Sequence, residues 1–224
     1  MKNVLRSSAL ILGVLGGQSW AGSAGTTAAP FLTMGVGARA LAMGEAATAA
    51  STDATALYWN PGSLTDLEGQ SATFMHAATL EETTYDYAAY GKGNGKTAWG
   101  VGVQYFSAGD VDQTDITGEK TGSLSPNDVA LTGGFGHKVN GYGLGASVKY
   151  VQSTLVDTAQ TLTADGGVMS PSFWKDRLRV GGSVANFGGK IKYDKESAPL
   201  PLTLRGGIEA RPWKGWTGAL DVVG

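Results

Sequence analysis

Cysteine is missing from all 224 residues. That absence excludes a disulfide framework, a thiolate metal site, a thiol nucleophile and lipid attachment to an N-terminal cysteine. Histidine occurs twice, at His76 and His137, in separate segments, and nothing around either resembles a Ser/His/Asp set or a metal cluster. Charge is scarce too: 16% of residues are charged and the formal net charge is −2, which leaves no basic surplus for nucleic acid. After the first two dozen residues, no stretch approaches the about 20 apolar residues that a helix needs to cross a bilayer. No enzyme activity, cofactor or metal is expected from this composition.

Glycine is abundant, with 35 residues. The chain opens with Lys2 and Arg6, an apolar run over residues 9–15, and small residues at Ser19 and Ala21. A basic start, a short apolar core and a small-x-small site predict a secretory signal peptide over residues 1–21, with cleavage after Ala21 and Ala24 as the alternative. The chain is therefore expected to be exported.

Two kinds of segment follow. Residues 35–67, GVGARALAMGEAATAASTDATALYWNPGSLTDL, are rich in small residues, weakly helical, and closed by an Asn60-Pro61-Gly62 turn. From residue 70 onward the pattern alternates in nine candidate strands: 70–79, 83–90, 97–106, 128–139, 142–152, 162–170, 178–187, 202–210 and 216–223. Lengths of about 9–11 residues suit a tilted strand that crosses hydrocarbon. In 97–106, Trp99, Val101, Val103 and Tyr105 share one face, and Ala98, Gly100, Gly102 and Gln104 share the other. The second face of the set is Gly, Ser, Thr or charge, with Asp86, Lys149, Asp165, Arg179, Arg205, Glu209 and Asp221 assigned to it. Small residues on a polar face suit a crowded lumen.

Connections alternate in length. Residues 91–95, Asn140-Gly141, 172–177 and 212–215 are tight; 108–127, 154–161 and 188–201 are long, and 80–82 is a short exception. Tight turns on one side and long loops on the other match the periplasmic turns and external loops of an outer-membrane barrel. The pairs Trp99/Tyr105 and Tyr142/Tyr150 fit aromatic girdles.

Four lookalike motifs are set aside. Gly35-Val36-Gly37-Ala38-Arg39-Ala40 is a loose dinucleotide fingerprint without its strand–helix–strand unit. Gly95-Lys96-Thr97 ends like a phosphate loop, but its leading glycine is Tyr90. Asp110, Asp112 and Asp115 lack the spacing of a calcium loop and read as solvated. His76 and His137, each with hydrophobic neighbours, read as packed or membrane-interface residues.

Gly25-Thr26, Phe31-Leu32, residues 35–40, Met43-Gly44, the 53–56 turn and Tyr58-Trp59-Asn60-Pro61 resemble the N-terminal signature of the PorV/PorQ family, itself similar to FadL-type transporters. The family usually continues Asn-Pro-Ala-Gly-Leu, where this chain has Gly62-Ser63-Leu64 after Pro61. The resemblance implies an all-β fold: a transmembrane antiparallel barrel of about 14 strands, with about nine present here and the rest beyond residue 224. It implies a plug over residues 22–68 and barrel strands over 69–224. Gly35, Gly37, Arg39, Met43, Gly44, Asp53, Asn60 and Pro61 are the plug motif, structural rather than catalytic, and Arg39 and Glu45 are expected to pair with wall charges. Function is expected in type IX protein export and surface attachment in the outer membrane, with outer-membrane lipid, secreted cargo and secretion components as partners and no nucleic acid. The alternatives are a FadL-like channel for hydrophobic small molecules and a purely structural barrel.

Overall fold

The computed structural model describes residues 27–78, 82–193 and 196–224. The expected signal peptide, Gly25-Thr26 of the signature and most of the 80–82 connection lie outside the described residues. The chain forms strands β1 (Glu68–Ala78), β2 (Thr84–Asn94), β3 (Thr97–Ser107), β4 (Val111–Thr114), β5 (Lys120–Leu124), β6 (Asn127–Val139) and β7 (Tyr142–Thr154). It continues with β8 (Thr158–Met169), β9 (Leu178–Phe187), β10 (Lys190–Tyr193), β11 (Glu196–Pro199), β12 (Thr203–Ala210) and β13 (Gly218–Val223).

One antiparallel sheet holds nine of these in the order β1-β2-β3-β6-β7-β8-β9-β12-β13. They correspond to the nine segments that alternation predicts, with ends moved by a few residues. Sequential pairing follows from the connections. At Asn140-Gly141 both residues have positive φ, 51° and 85°, which matches the right-handed twist of the flanking strands. The remaining strands form two ribbons, β4–β5 and β10–β11, inside the long connections. Those connections were expected as plain loops.

The faces of the sheet are inverted relative to a water-soluble one. Phe74, Val101, Leu131, Phe135, Val148 and Leu162 are exposed, whereas Ser147, Lys149, Asp165, Arg179 and Glu209 are buried. Apolar side chains outward and polar ones inward suit a wall that meets hydrocarbon. One assignment needs correcting, that of Asp86. It sits on the outward face of β2, where its carboxylate meets His76 Nδ1 at 2.6 Å, while Tyr85 and Tyr87 turn inward and are buried. The reason lies in what they meet: Tyr85 donates to Met34 O at 3.0 Å, and Tyr87 lies edge-on to Tyr58 at 6.5 Å.

Residues 27–67 run through the concave side. They contain two short α-helices, α1 (Ala38–Ala42) and α2 (Ala56–Trp59), and 3₁₀ turns at Pro30–Thr33 and Pro61–Asp66. Helices this short do not persist in water alone, so burial holds them. Phe31, Leu32, Val36, Leu57, Trp59 and Leu64 are at most 2% exposed. At one end, Ala28 N donates to Pro199 O in the β10–β11 ribbon. At the other, Asp66 meets Arg179 and Lys138 near the tight turns. Ala54 N donates to Ser71 Oγ on β1, while Ala47 N and Thr48 N donate to Asp221 Oδ2 on β13. One segment thus touches both edges of the sheet, so the sheet is rolled around it. β1 and β13 make no hydrogen bonds with each other among the described residues.

A Cβ at Gly181 would lie 2.8 Å from Thr48 O and 2.9 Å from Asn60 Nδ2, whereas one at Gly206 would meet nothing within 4 Å. Gly181→Ala is therefore expected to cost about 1–3 kcal/mol through overpacking, and Gly206→Ala little. Thermal unfolding midpoints of the two variants against the parent protein check this.

Candidate functional site

The candidate site is the contact between residues 27–67 and the wall. Its centre is Asn60, which is fully buried. Pro61 fixes the first position of the 3₁₀ turn, and Asn60 caps it, its Oδ1 accepting from Gly62 N at 3.0 Å. Its Nδ2 donates to Thr48 O at 2.9 Å and to Val168 O on β8 at 3.0 Å. One amide thereby joins two stretches of the segment to the wall, with both of its donors and its acceptor used.

Close approach explains the sequence around it. A Cβ at Gly62 would stand 2.9 Å from backbone atoms of Gly143 and Gly167. Side chains are excluded on both sides of this contact, which accounts for glycine at 62, 143 and 167. Next to it, Thr65 Oγ1 donates to Gly62 O at 2.9 Å, and Ser183 Oγ on β9 donates to Trp59 O at 2.8 Å.

The aromatic residues complete the filling. Trp59 Nε1 donates to Val36 O at 3.0 Å, and Tyr58 lies edge-on to Trp59 with ring centroids 4.8 Å apart. The Arg205 guanidinium of β12 sits 5.1 Å above the Tyr58 ring and 5.3 Å above that of Trp59, a desolvated cation–π pair. Small cavities lie against the segment among the described residues. One of about 70 Å³ lies among Gly37, Arg39, Met43, Asp53 and Thr73. Another, of about 10 Å³, lies between Tyr58, Tyr87 and Lys149. Such volumes suit water molecules rather than a lipid-sized solute.

Several inward-facing charges are paired. Lys149 Nζ is 3.3 Å from Asp165 and donates to Asn186 Oδ1 at 2.8 Å, all within the wall. Asp66 takes Lys138 at 2.9 Å and Arg179 as well, so one carboxylate from the segment answers two wall cations. Glu209, fully buried, receives Arg211 at 3.0 Å. Leaving one member of such a set alone in low dielectric costs more than the pair itself contributes.

Six of the eight expected motif residues fall into two groups. Asn60 and Pro61 stand at the wall. Gly37, Arg39, Met43 and Asp53 gather around the 70 Å³ cavity. Gly37 has φ 85° and donates its N–H to Met75 Sδ at 3.3 Å, while Gly44, with φ 66°, follows the C-cap residue Met43. A Cβ at Gly35 would lie 2.6 Å from the Glu45 carboxylate. Asp53 Oδ1 accepts from Thr55 N at 2.8 Å. Among the described residues, neither Arg39 nor Glu45 makes the expected pair with a wall charge. Arg39 is exposed and donates to Ala50 O at 2.8 Å, and Glu45 is exposed as well. Arg39 lies in α1 and Glu45 three residues beyond its end, and the contacts between segment and wall are made by Asp66, with two cations, and by Asp221, with two backbone N–H groups. Those two acids were missed as anchors, because each is a single acidic residue without a motif around it. The inward glycines at 143, 167, 181 and 207 carried the available signal.

The lookalikes resolve as turns and pairs. Asp112 pairs with Lys120 at 2.6 Å, Asp110 accepts from Ser125 Oγ, and Asp115 caps the β4–β5 turn by accepting from Thr117 N and Glu119 N. The Thr117 hydroxyl, with those N–H groups, holds the Asp115 carboxyl below the usual carboxylate range. Asn94 Oδ1 accepts from Lys96 N and Thr97 N in the hairpin turn, and His137 meets Thr97 Oγ1 at 2.7 Å. Among the described residues, no group of three His, Cys, Asp or Glu is placed to hold a metal ion.

A family model described as type IX secretion system protein PorV matches residues 19–209. No curated protein matches the chain.

Replacing Asn60 by alanine strands two buried carbonyls and one N–H. Asn60→Ala is expected to cost about 3 kcal/mol, and Arg39→Ala, which removes one exposed hydrogen bond, about 1 kcal/mol or less. Denaturant unfolding of both variants reads the difference; equal losses would remove Asn60 from the centre of the site.

Proposed function

The chain belongs to the PorV family of type IX secretion system proteins, and on that premise we propose that it works in protein export and surface attachment as an outer-membrane β-barrel. Residues 27–67 fill the lumen, tight turns face the periplasm, and the β4–β5 and β10–β11 ribbons face outward. The observation that carries the membrane reading is the inversion of the sheet, with Phe74, Leu131, Phe135 and Val148 outside and Lys149, Asp165 and Glu209 inside. No helix of the described residues is long and apolar enough to cross a membrane, so strands carry the crossing in this reading. Closure to about 14 strands is part of the same proposal.

Export rather than solute passage is supported by how the interior is used. A channel for hydrophobic molecules needs an apolar path, and around Asn60–Asp66 the segment lies against backbone glycine and half-buried ion pairs. Cargo and secretion components then meet the outer ribbons. There the β4–β5 ribbon is exposed along most of its length and carries Ile116 fully in solvent.

Membrane fractionation with a heat-modifiability gel on the full-length protein is expected to give an outer-membrane, heat-modifiable band; a soluble, unmodifiable product overturns the barrel. Deleting residues 108–127 is expected to leave that band intact and abolish surface display of cargo. Undiminished display would take the export role away from this ribbon.

A further inference from the structure

The end of the sheet opposite the ribbons carries aromatic and cationic side chains that the interior does not use. Two turns meet there, residues 170–177 between β8 and β9 and residues 211–217 between β12 and β13. Arg211 N donates to Arg177 O at 2.7 Å and ties them together. Between them lies a hollow of about 320 Å³ lined by Arg177, Arg211, Trp213, Lys214 and Trp216. The two indoles are about 70% exposed, 6.5 Å apart and nearly perpendicular. In the 170–177 turn Trp174 is 80% exposed, and Trp174, Lys175 and Asp176 are all left-handed, with φ of 50°, 58° and 63°. Three consecutive non-glycine residues in that conformation hold an indole out in solvent at a backbone cost.

The charge is unbalanced in the same place. Arg211 is taken by Glu209, but Arg177 and Lys214 have no carboxylate partner among the described residues. Above the hollow the outward face is apolar, with Val180, Ile208 and Leu220 exposed. Indoles between an apolar band and water, next to uncompensated cations, have the chemistry of the headgroup layer of a bilayer.

We propose that this hollow binds the phosphate headgroup of an anionic phospholipid in the leaflet that meets these turns. The inference rests on the barrel reading above. Arg177 and Lys214 meet the phosphate, and Trp213 and Trp216 lie at the level of the glycerol and upper acyl chain. Continuity with the apolar face favours a lipid over free phosphate, and the two unpaired cations favour an anionic over a zwitterionic headgroup.

The test is native mass spectrometry of the delipidated full-length protein offered phosphatidylglycerol and phosphatidylcholine in equal amounts. Retention of phosphatidylglycerol is expected to exceed that of phosphatidylcholine about thirty-fold, the effect of two cations near a charged headgroup. The double variant Arg177→Gln, Lys214→Gln is expected to lose that preference while staying heat-modifiable. Trp213→Ala with Trp216→Ala is expected to lower retention of both lipids. Equal retention by the parent protein, or a preference that survives in the glutamine variant, overturns the proposal and leaves the patch to a protein partner. Displacement of the lipid by excess inorganic phosphate overturns it in favour of a soluble anion. Orientation is read separately: Lys214→Cys in this cysteine-free chain should take an impermeant maleimide only after the outer membrane is permeabilised. Labelling of intact cells overturns the periplasmic placement of the turns, and loss of heat-modifiability overturns the barrel, both independently of lipid preference.

Discussion

The near-contact of two backbones governs this molecule. Around Asn60-Pro61-Gly62 the inner segment lies so close to β7, β8 and β9 that Gly62, Gly143 and Gly167 have no room for a Cβ. Rolling a sheet creates an interior that must be filled, and an interior filled by main chain demands small residues on the wall and satisfied polar groups on the filler. Asn60 meets the second demand by serving Thr48 O, Val168 O and Gly62 N with one side chain. The glycine-rich inner face and the Asn-Pro turn are thus two sides of one requirement.

Given that contact, the polar interior becomes tolerable. A buried lysine or glutamate costs several kcal/mol if alone, and the wall answers this with its own pairs, Lys149 with Asp165 and Glu209 with Arg211. Between wall and segment the electrostatics are uneven along the axis. Near the tight turns, Asp66 bridges Arg179 and Lys138. Toward the ribbons the contact is apolar, with Phe31, Leu32, Ile191 and Leu200 in one buried cluster. Direction is therefore encoded: charge fixes which end of the segment lies at the turns, and hydrophobic burial holds the other.

Alternation made the nine strands of the sheet legible, because outward Val, Leu and Phe and inward Gly, Ser and Lys repeat with period two along β3, β6 and β7. Asn140-Gly141 likewise announced its own turn. What escaped depended on partners rather than on local pattern. Placing Asp86 inward turns Tyr85 and Tyr87 outward, until Met34 and Tyr58 are set behind the two tyrosines. The ribbons escaped because strands of four or five residues, exposed over most of β4 and β5, carry no apolar period. Charge alone points Arg39 and Glu45 at the wall, yet α1 is five residues long, too short for its sequence to say which face is buried, and Glu45 lies beyond its end. The motif glycines and the Asn-Pro turn were legible as structural; the acids that anchor them were not.

Curvature also follows from the segment rather than from strand pairing alone. A flat sheet of nine strands spaced about 4.8 Å apart would put its two edges about 38 Å from each other. Yet Ala47 N reaches Asp221 on β13 and Ala54 N reaches Ser71 on β1. Ser51 N returns to Ala47 O, so this stretch begins with a helical turn. Such a turn advances only about 6 Å, and three more residues bring the span to roughly 17 Å at most. Adding about 6 Å of side-chain reach at each end leaves the edges no more than about 30 Å apart, well short of the flat distance. The segment acts as a clasp across the open side. Its small residues, Ala46, Ala47, Ala49, Ala50 and Ala54, all buried, are the ones that let a clasp of this kind lie inside a narrow wall.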